Sequence, residues 1–153
     1  MRVEDETKNK IVKGAKSMKA LVIYYSYSGH TKALAEKIAA ENSADLAEIK
    51  DVKRPSKLKA YSAGCFAAIK GNTWPIILTE TDLNSYDRLI LLSPIWAGNT
   101  PPAVNSFLAL LPEGKMVTVK LVSDSGKSRC RGRIEAAIEV KNCTADSFED
   151  IKR

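Results

Sequence analysis

Apolar and polar positions along this chain alternate between two periods. Residues 19–25, "KALVIYY", form a short continuous apolar run rich in β-branched and aromatic side chains. Such a run, ended by Ser and Gly, predicts a strand buried on both faces, as in a parallel sheet. Residues 31–41, "TKALAEKIAAE", then place Leu34, Ala35, Ile38 and Ala39 on one face, with lysines and glutamates opposite. That spacing predicts an amphipathic helix. The alternation continues: "ADLAEIK" (44–50) reads as a strand, and "SKLKAYSAGCFAAIKG" (56–71) as a helix ended by Gly71. "DRLILLS" (87–93) repeats the buried-strand pattern. "PPAVNSFLALLP" (101–112) opens a helix on two prolines, where the missing N–H costs nothing. "KMVTVKLVSDSG" (115–126) is a strand running into a polar loop, "RGRIEAAIEV" (131–140) a helix, and "NCTADSF" (142–148) a short fifth strand.

Strands alternating with helices imply an α/β fold with a parallel sheet covered on both faces. Ligands of such sheets bind beyond the carboxyl ends of the strands. Three loops there carry polar, flexible or aromatic chemistry: 26–31, 93–100 and 123–128. All three are expected on one edge of the sheet.

Length and composition narrow the class. The 153 residues fit one domain with a real core. The first 17 residues are polar and read as a flexible basic tail, with the domain proper over 18–153. No run of about 18 apolar residues occurs, and the N-terminus lacks a signal peptide's apolar stretch, so the expectation is a cytoplasmic protein with no membrane contact. Cys65, Cys130 and Cys143 have neither zinc-site nor disulfide spacing and read as reduced thiols. Net charge is +6, half of it within the first 19 residues. No recognition motif or aromatic-rich basic stripe accompanies it, so no nucleic-acid partner is expected.

The stretch "YYSYSGHT" (24–31) is the first candidate site. A loop between a buried strand and a helix N-terminus exposes backbone N–H groups, and the helix dipole favours an anion there. Gly29 permits a close turn, and Ser26, Ser28 and Thr31 add hydroxyl donors. A helix cap alone needs one hydroxyl and one glycine. The loop has no Lys or Arg of its own, so the expected ligand is a phosphate held mainly by neutral donors. GxxxxGK[ST] and GxGxxG are both absent.

At the second loop, "YDRLILLSPIWAGNTPPAVNSFL" (86–108), the chain resembles the flavodoxin-like family of FMN-binding proteins. That family's phosphate loop is [ST]-x-[ST]-G-x-T, which Ser26-Tyr27-Ser28-Gly29-His30-Thr31 matches at every fixed position. Tyr86, Asp87, Ser93, Pro94, Trp96, Gly98, Pro101 and Pro102 fit the family's "YD", "SP-x-W" and "PP" positions. The resemblance implies a three-layer sandwich with a five-stranded parallel sheet of order 2-1-3-4-5. It also implies one non-covalently bound FMN. The implied cofactor-binding residues are Ser26, Tyr27, Ser28, Gly29, His30 and Thr31 for the phosphate, and Ser93, Pro94, Ile95, Trp96, Ala97, Gly98 and Asn99 for the ring. Ser123, Asp124, Ser125 and Gly126 stand at the ring's far edge.

A flavin needs an apolar slot and a few backbone groups for its polar edge. Trp96 offers a flat face for stacking, whereas Trp74 reads as packing or surface. Tyr27 reads equally as a ligand cover or an exposed side chain. Lys127, Arg129, Arg131 and Arg133 form a basic cluster after the third loop, either a solvated face or a contact for an acidic or phosphorylated partner. No acid–base constellation appears. The resemblance implies an electron carrier that meets a redox partner protein. The alternative is an NAD(P)H-dependent flavin oxidoreductase acting on a small-molecule acceptor such as a quinone. The chain ends at "FEDIKR", so the last helix usual in such folds is expected to be short or missing, with the sheet edge exposed or covered by the tail or a second subunit, which would make a homodimer.

Overall fold

The computed structural model describes residues 18–80 and 82–153; the expected tail over 1–17 lies outside them. The element order is β1 (Ala20–Tyr24), α1 (His30–Glu41), β2 (Asp45–Asp51), α2 (57–70), β3 (Ile76–Leu78), β4 (Arg88–Pro94), α3 (Pro102–Ala109), β5 (Met116–Ser123), α4 (Arg131–Val140) and β6 (Thr144–Lys152). The fold is α/β, as the alternating pattern predicts.

The sheet corrects the expectation of five parallel strands with order 2-1-3-4-5. Among the described residues it has six strands, ordered β3-β2-β1-β4-β5-β6. β3 is antiparallel to β2, pairing Ile49 with Leu78 and Asp51 with Ile76, and forms one edge. The other pairings are parallel. A three-residue strand has too little length to show a period, so "IIL" gave no strand signal.

The core divides at the sheet. On one face Leu21, Ile23, Leu89, Leu91, Val117, Val119 and Leu121 meet Val104 and Phe107 of α3 and Ile134 and Ile138 of α4. Phe107 is fully buried, and truncating such a residue to alanine costs about 3–5 kcal/mol. On the other face Val22, Tyr24, Ile90 and Leu92 pack on Ala35, Ile38 and Ala39 of α1.

Toward β6 that second face turns polar. Arg88 Nη2 donates to Thr118 Oγ1 at 2.8 Å, and Thr118 Oγ1 donates to Asp146 Oδ1 at 2.7 Å. Arg88 Nε and Asp146 Oδ2 are 3.4 Å apart, and Lys120 and Glu149 pair at 3.8 Å. β6 is an edge strand whose charged side chains discourage pairing with another chain. It runs nine residues, past Phe148 where the apolar pattern stops, because backbone pairing with β5 continues to Ser123↔Lys152.

Helix α2 contains a π-helical turn, Ala60–Gly64, between Lys57–Lys59 and Cys65–Lys70. It ends at Gly71 in the left-handed region, as expected. Among the described residues no helix is long and apolar enough to cross a membrane. The three cysteines are unpaired.

Candidate functional site

The three polar loops do lie together at the carboxyl edge of the strands, because β1, β4 and β5 are parallel neighbours. The 26–31 loop leaves β1 and enters α1. Gly29 stands at the helix N-cap with φ 101°, a left-handed conformation that favours glycine. A Cβ there would meet nothing within 4 Å, so the requirement is conformational rather than spatial. Ser26 Oγ accepts from Gly29 N at 3.1 Å and braces the turn. No side chain caps α1, so its first-turn N–H groups remain for an anion. Thr31 is buried behind the loop, and Ser28 and His30 are exposed, with Ser28 Oγ 2.9 Å from His30 Nδ1.

Tyr27 is anchored. Its hydroxyl donates to Pro55 O at 2.8 Å, Arg54 covers its ring at 4.3 Å, and Arg54 Nη2 donates to Tyr27 O at 2.7 Å. It meets Trp96 edge to face at 5.9 Å, and Tyr25 also meets Trp96 edge to face at 6.0 Å. Tyr25 donates to Asp51 Oδ2 at 2.5 Å. Burial first, and then this bond, push the Tyr25 phenol far above its ordinary range. Burial also raises the Asp51 carboxyl, against the opposing effects of the Tyr25 hydrogen bond and the Arg54 charge. Asp51 Oδ1 is buried without a partner.

The 93–100 loop is a closed turn. Trp96 and Asn99 exchange backbone hydrogen bonds of 2.7 and 3.0 Å around Ala97 (φ 51°) and Gly98 (φ 82°). Asn99 Nδ2 donates to Ala97 O at 3.1 Å, and Arg129 N donates to Gly98 O at 2.7 Å. Four bonds thus hold a segment whose Gly and Pro content suggested mobility. Ser93 is fully buried, its hydroxyl donating to Pro94 O. Ser93 and Asn99 therefore shape the loop from within.

Two clefts result. The smaller, about 170 Å³, is lined by Tyr27, Ser28, Thr31, Pro94, Ile95, Trp96, Val122, Ser123, Asp124 and Arg153. The larger, about 830 Å³, is lined by Ile69, Ile95, Ala97, Gly98, Ser123, Asp124, Ser125, Lys127, Ser128 and Arg129. Ile95, Ser123 and Asp124 belong to both, so the clefts adjoin. Trp96 walls the smaller one only. Gly126 N donates to Ser123 Oγ at 3.0 Å and closes the third loop without lining either cleft. Trp74 is remote; its backbone N–H donates to Ser106 Oγ, and Lys59 lies over its ring at 5.7 Å.

The basic cluster divides. Lys127 and Arg129 line the larger cleft. Arg131 pairs with Glu135 at 3.4 Å and lies over Phe148, and Arg133 donates to Ala68 O and Ile69 O at the end of α2. Four participants were not legible as site residues: Ile69, Val122, Gly64, which lies under Trp96, and Arg153. The apolar pattern of the last strand stops at 148, so no local signal reaches Arg153; only the length of β6 carries it to the shared edge.

Residues 19–145 match the sequence model of a family described as Flavodoxin. The chain belongs to the flavodoxin family. A stretch of 90 residues, 59% of this chain, is 32% identical to an NAD(P)H dehydrogenase (quinone) from Acidovorax ebreus. The chain spans 44% of that curated relative's length. Among solved structures, a flavoprotein from Lactobacillus acidophilus in complex with FMN superposes with TM-score 0.66 at 24% identity, covering 86% of this chain and 91% of the other. The apo-form of the flavoprotein from the same organism gives 0.65 at 25% identity over 87% and 93%. A Bacteroides eggerthii structure gives 0.74 at 21% over 88% and 89%. The flavodoxin-like architecture and the family read from the two loops both agree with these findings.

Proposed function

We propose that this flavodoxin-family chain binds one FMN non-covalently and serves as an electron carrier. The observation that carries the reading is the pair of adjoining clefts. One is small and ends on the α1 N-terminus with Ser28 and Thr31; the other is large and lies between the 95–98 turn and the 123–129 loop. The residues present fit FMN: a hydroxyl-lined anion pocket for the phosphate, and beside it a wide slot for the ring. Bound FMN would supply the redox chemistry.

The chain's own residues bind and orient. Ser28, Thr31 and the first-turn N–H groups hold the phosphate, and Gly29 gives the loop its turn. Ile95, Ala97 and Gly98 bring backbone and apolar surface to the ring, with Ser123, Asp124 and Ser125 at its far edge. Trp96, which Tyr25 and Tyr27 both meet edge to face, walls the phosphate side.

The partner is a redox protein with an acidic surface. Leu58, Tyr61, Phe66 and Ile69 are exposed on α2, Ile69 reaches the ring cleft, and Lys57, Lys59 and Lys70 flank them. Three unpaired thiols and no membrane-crossing helix among the described residues support a cytoplasmic site of action.

A second reading, NAD(P)H-dependent reduction of quinones, is favoured by the likeness to the Acidovorax ebreus protein. Anaerobic mixing of the FMN-loaded chain with NADPH and NADH separates the two. Flavin absorbance that persists for minutes supports the carrier. Bleaching within seconds, followed by reoxidation with a quinone, supports the enzyme.

A further inference from the structure

The phosphate-side cleft holds one feature that the loop sequence does not announce. Arg153 follows β6, and its backbone N–H donates to Ser123 O at 3.0 Å, a bond of the last β5–β6 pair, Ser123↔Lys152. The pairing fixes its Cα beside the third loop. The side chain then crosses to the first loop. Nε donates to Asp124 Oδ1 at 2.6 Å, and Nη1 donates to His30 Nδ1 at 2.9 Å. The guanidinium lines the same cleft as Ser28 and Thr31 and, among the described residues, is the one cation in its walls.

We infer that Arg153 is a direct ligand of the cofactor's phosphate, which makes this a charged site and not one of neutral donors alone. The inference rests on the FMN reading above. A guanidinium has five N–H groups. Two are engaged by Asp124 and His30, leaving three, on a side chain that is 36% exposed. A phosphomonoester carries close to two negative charges at neutral pH. Asp124, also in the wall, contributes one more negative charge, and without Arg153 the cleft would set that carboxylate against the phosphate with no counter-charge. The Asp124 contact also aims the guanidinium: with Nε tied, the Nη edge faces the loop. Guanidinium and phosphate match in bidentate geometry, which a lysine at this position would not reproduce.

The test measures binding by quenching of flavin fluorescence, with FMN and riboflavin as probes on the full chain. Wild type should bind FMN more tightly than riboflavin. Its FMN affinity should fall severalfold as NaCl rises from low to physiological levels, with riboflavin unmoved. Arg153→Gln keeps donors but loses the charge; it should bind FMN about tenfold more weakly, lose most of the salt response, and leave riboflavin unchanged. Arg153→Lys should recover part of the affinity. Unchanged riboflavin affinity checks that the variants are folded, and the wild-type salt response stands even if one is not. Equal FMN affinity in wild type and Arg153→Gln, or an FMN affinity indifferent to salt in wild type, overturns the assignment of Arg153 and leaves the FMN reading intact. A wild type that binds no FMN overturns both.

Discussion

Gly64, in the π-helical turn of α2, lies directly beneath the indole of Trp96: a Cβ at that position would stand 2.8 Å from Cζ3. Its backbone is ordinary right-handed helix, so the conformation does not demand glycine. The indole does. Tyr25 and Tyr27 both contact the Trp96 ring, and α2 packs against it at Gly64.

Two effects compete in Gly64→Ala. Helix propensity favours alanine by about 1 kcal/mol. Overlap with a ring that cannot easily yield costs about 1–3 kcal/mol. The overlap wins, so the variant is less stable and Trp96 shifts. In a Trp74→Phe background, urea unfolding should show a lower midpoint and the remaining tryptophan emission should move. A higher midpoint with unmoved emission would mean that Trp96 is not pinned.

The two tryptophans should behave differently toward flavin. On the proposed reading, Trp96→Ala removes a wall of the smaller cleft beside Ser28 and Thr31 and should weaken FMN more than riboflavin. It should also change the bound flavin's fluorescence. Trp74→Ala should do neither, because Trp74 sits on Ser106 and Lys59 away from both clefts. Equal effects of the two substitutions in a flavin titration would mean that Trp96 does not wall the flavin site.

On the proposed reading, replacing Ser28 and Thr31 together by alanine removes two donors to the phosphate, each worth roughly 1.5–3 kcal/mol when the acceptor is charged. FMN binding should weaken by at least tenfold and riboflavin binding should barely change. Parallel losses for the two ligands, by isothermal calorimetry, would mean that the loop does not read the phosphate.

Asp51 gives a pH prediction. Burial raises its carboxyl above the ordinary aspartate value of about 3.9, so the folded state prefers the protonated form. The cost of ionising it is absent below that ordinary value and grows as pH rises from there through the shifted one. An amide in place of the carboxylate could still accept from Tyr25 without carrying the charge. Asp51→Asn should therefore be more stable than wild type at pH 7, with the gap closing as pH falls toward 4. Urea midpoints whose difference does not vary with pH would contradict this.

On the proposed reading, the charge around the larger cleft tunes the flavin's potential. Lys127 and Arg129 line it, and a nearby cation stabilises an electron-rich reduced ring. Changing both to glutamine should make the potential more negative, by up to about 59 mV for each tenfold change in a one-electron equilibrium. The shift should shrink as salt rises. Arg131→Gln should have no effect, since Arg131 pairs with Glu135 and stacks on Phe148. A redox titration that moves with Arg131 but not with the other two would invert the assignment.

What the sequence disclosed follows from signal length. Helix α4 runs over Arg131–Val140, the very residues its period marks, and the buried strands β1, β4 and β5 announce themselves as apolar runs. β3 is three residues held by antiparallel pairing, and the second half of β6 is polar because one side of the sheet carries ion pairs there. Neither leaves a periodic trace. The conformation of Gly29 was legible from a glycine between a strand and a helix. The contacts of Gly64 with Trp96, Tyr25 with Asp51 and Arg153 with His30 link residues 32, 26 and 123 positions apart. Only the topology brings such pairs together, and no local pattern encodes them.

The central claim is that these clefts hold a phosphorylated flavin, and the most direct measurement is a titration of the flavin-free chain with FMN and, separately, riboflavin. Saturable quenching of FMN fluorescence at one equivalent per chain, at least tenfold tighter than riboflavin, is the predicted result. No quenching by FMN, or equal affinity for the two ligands, would contradict it.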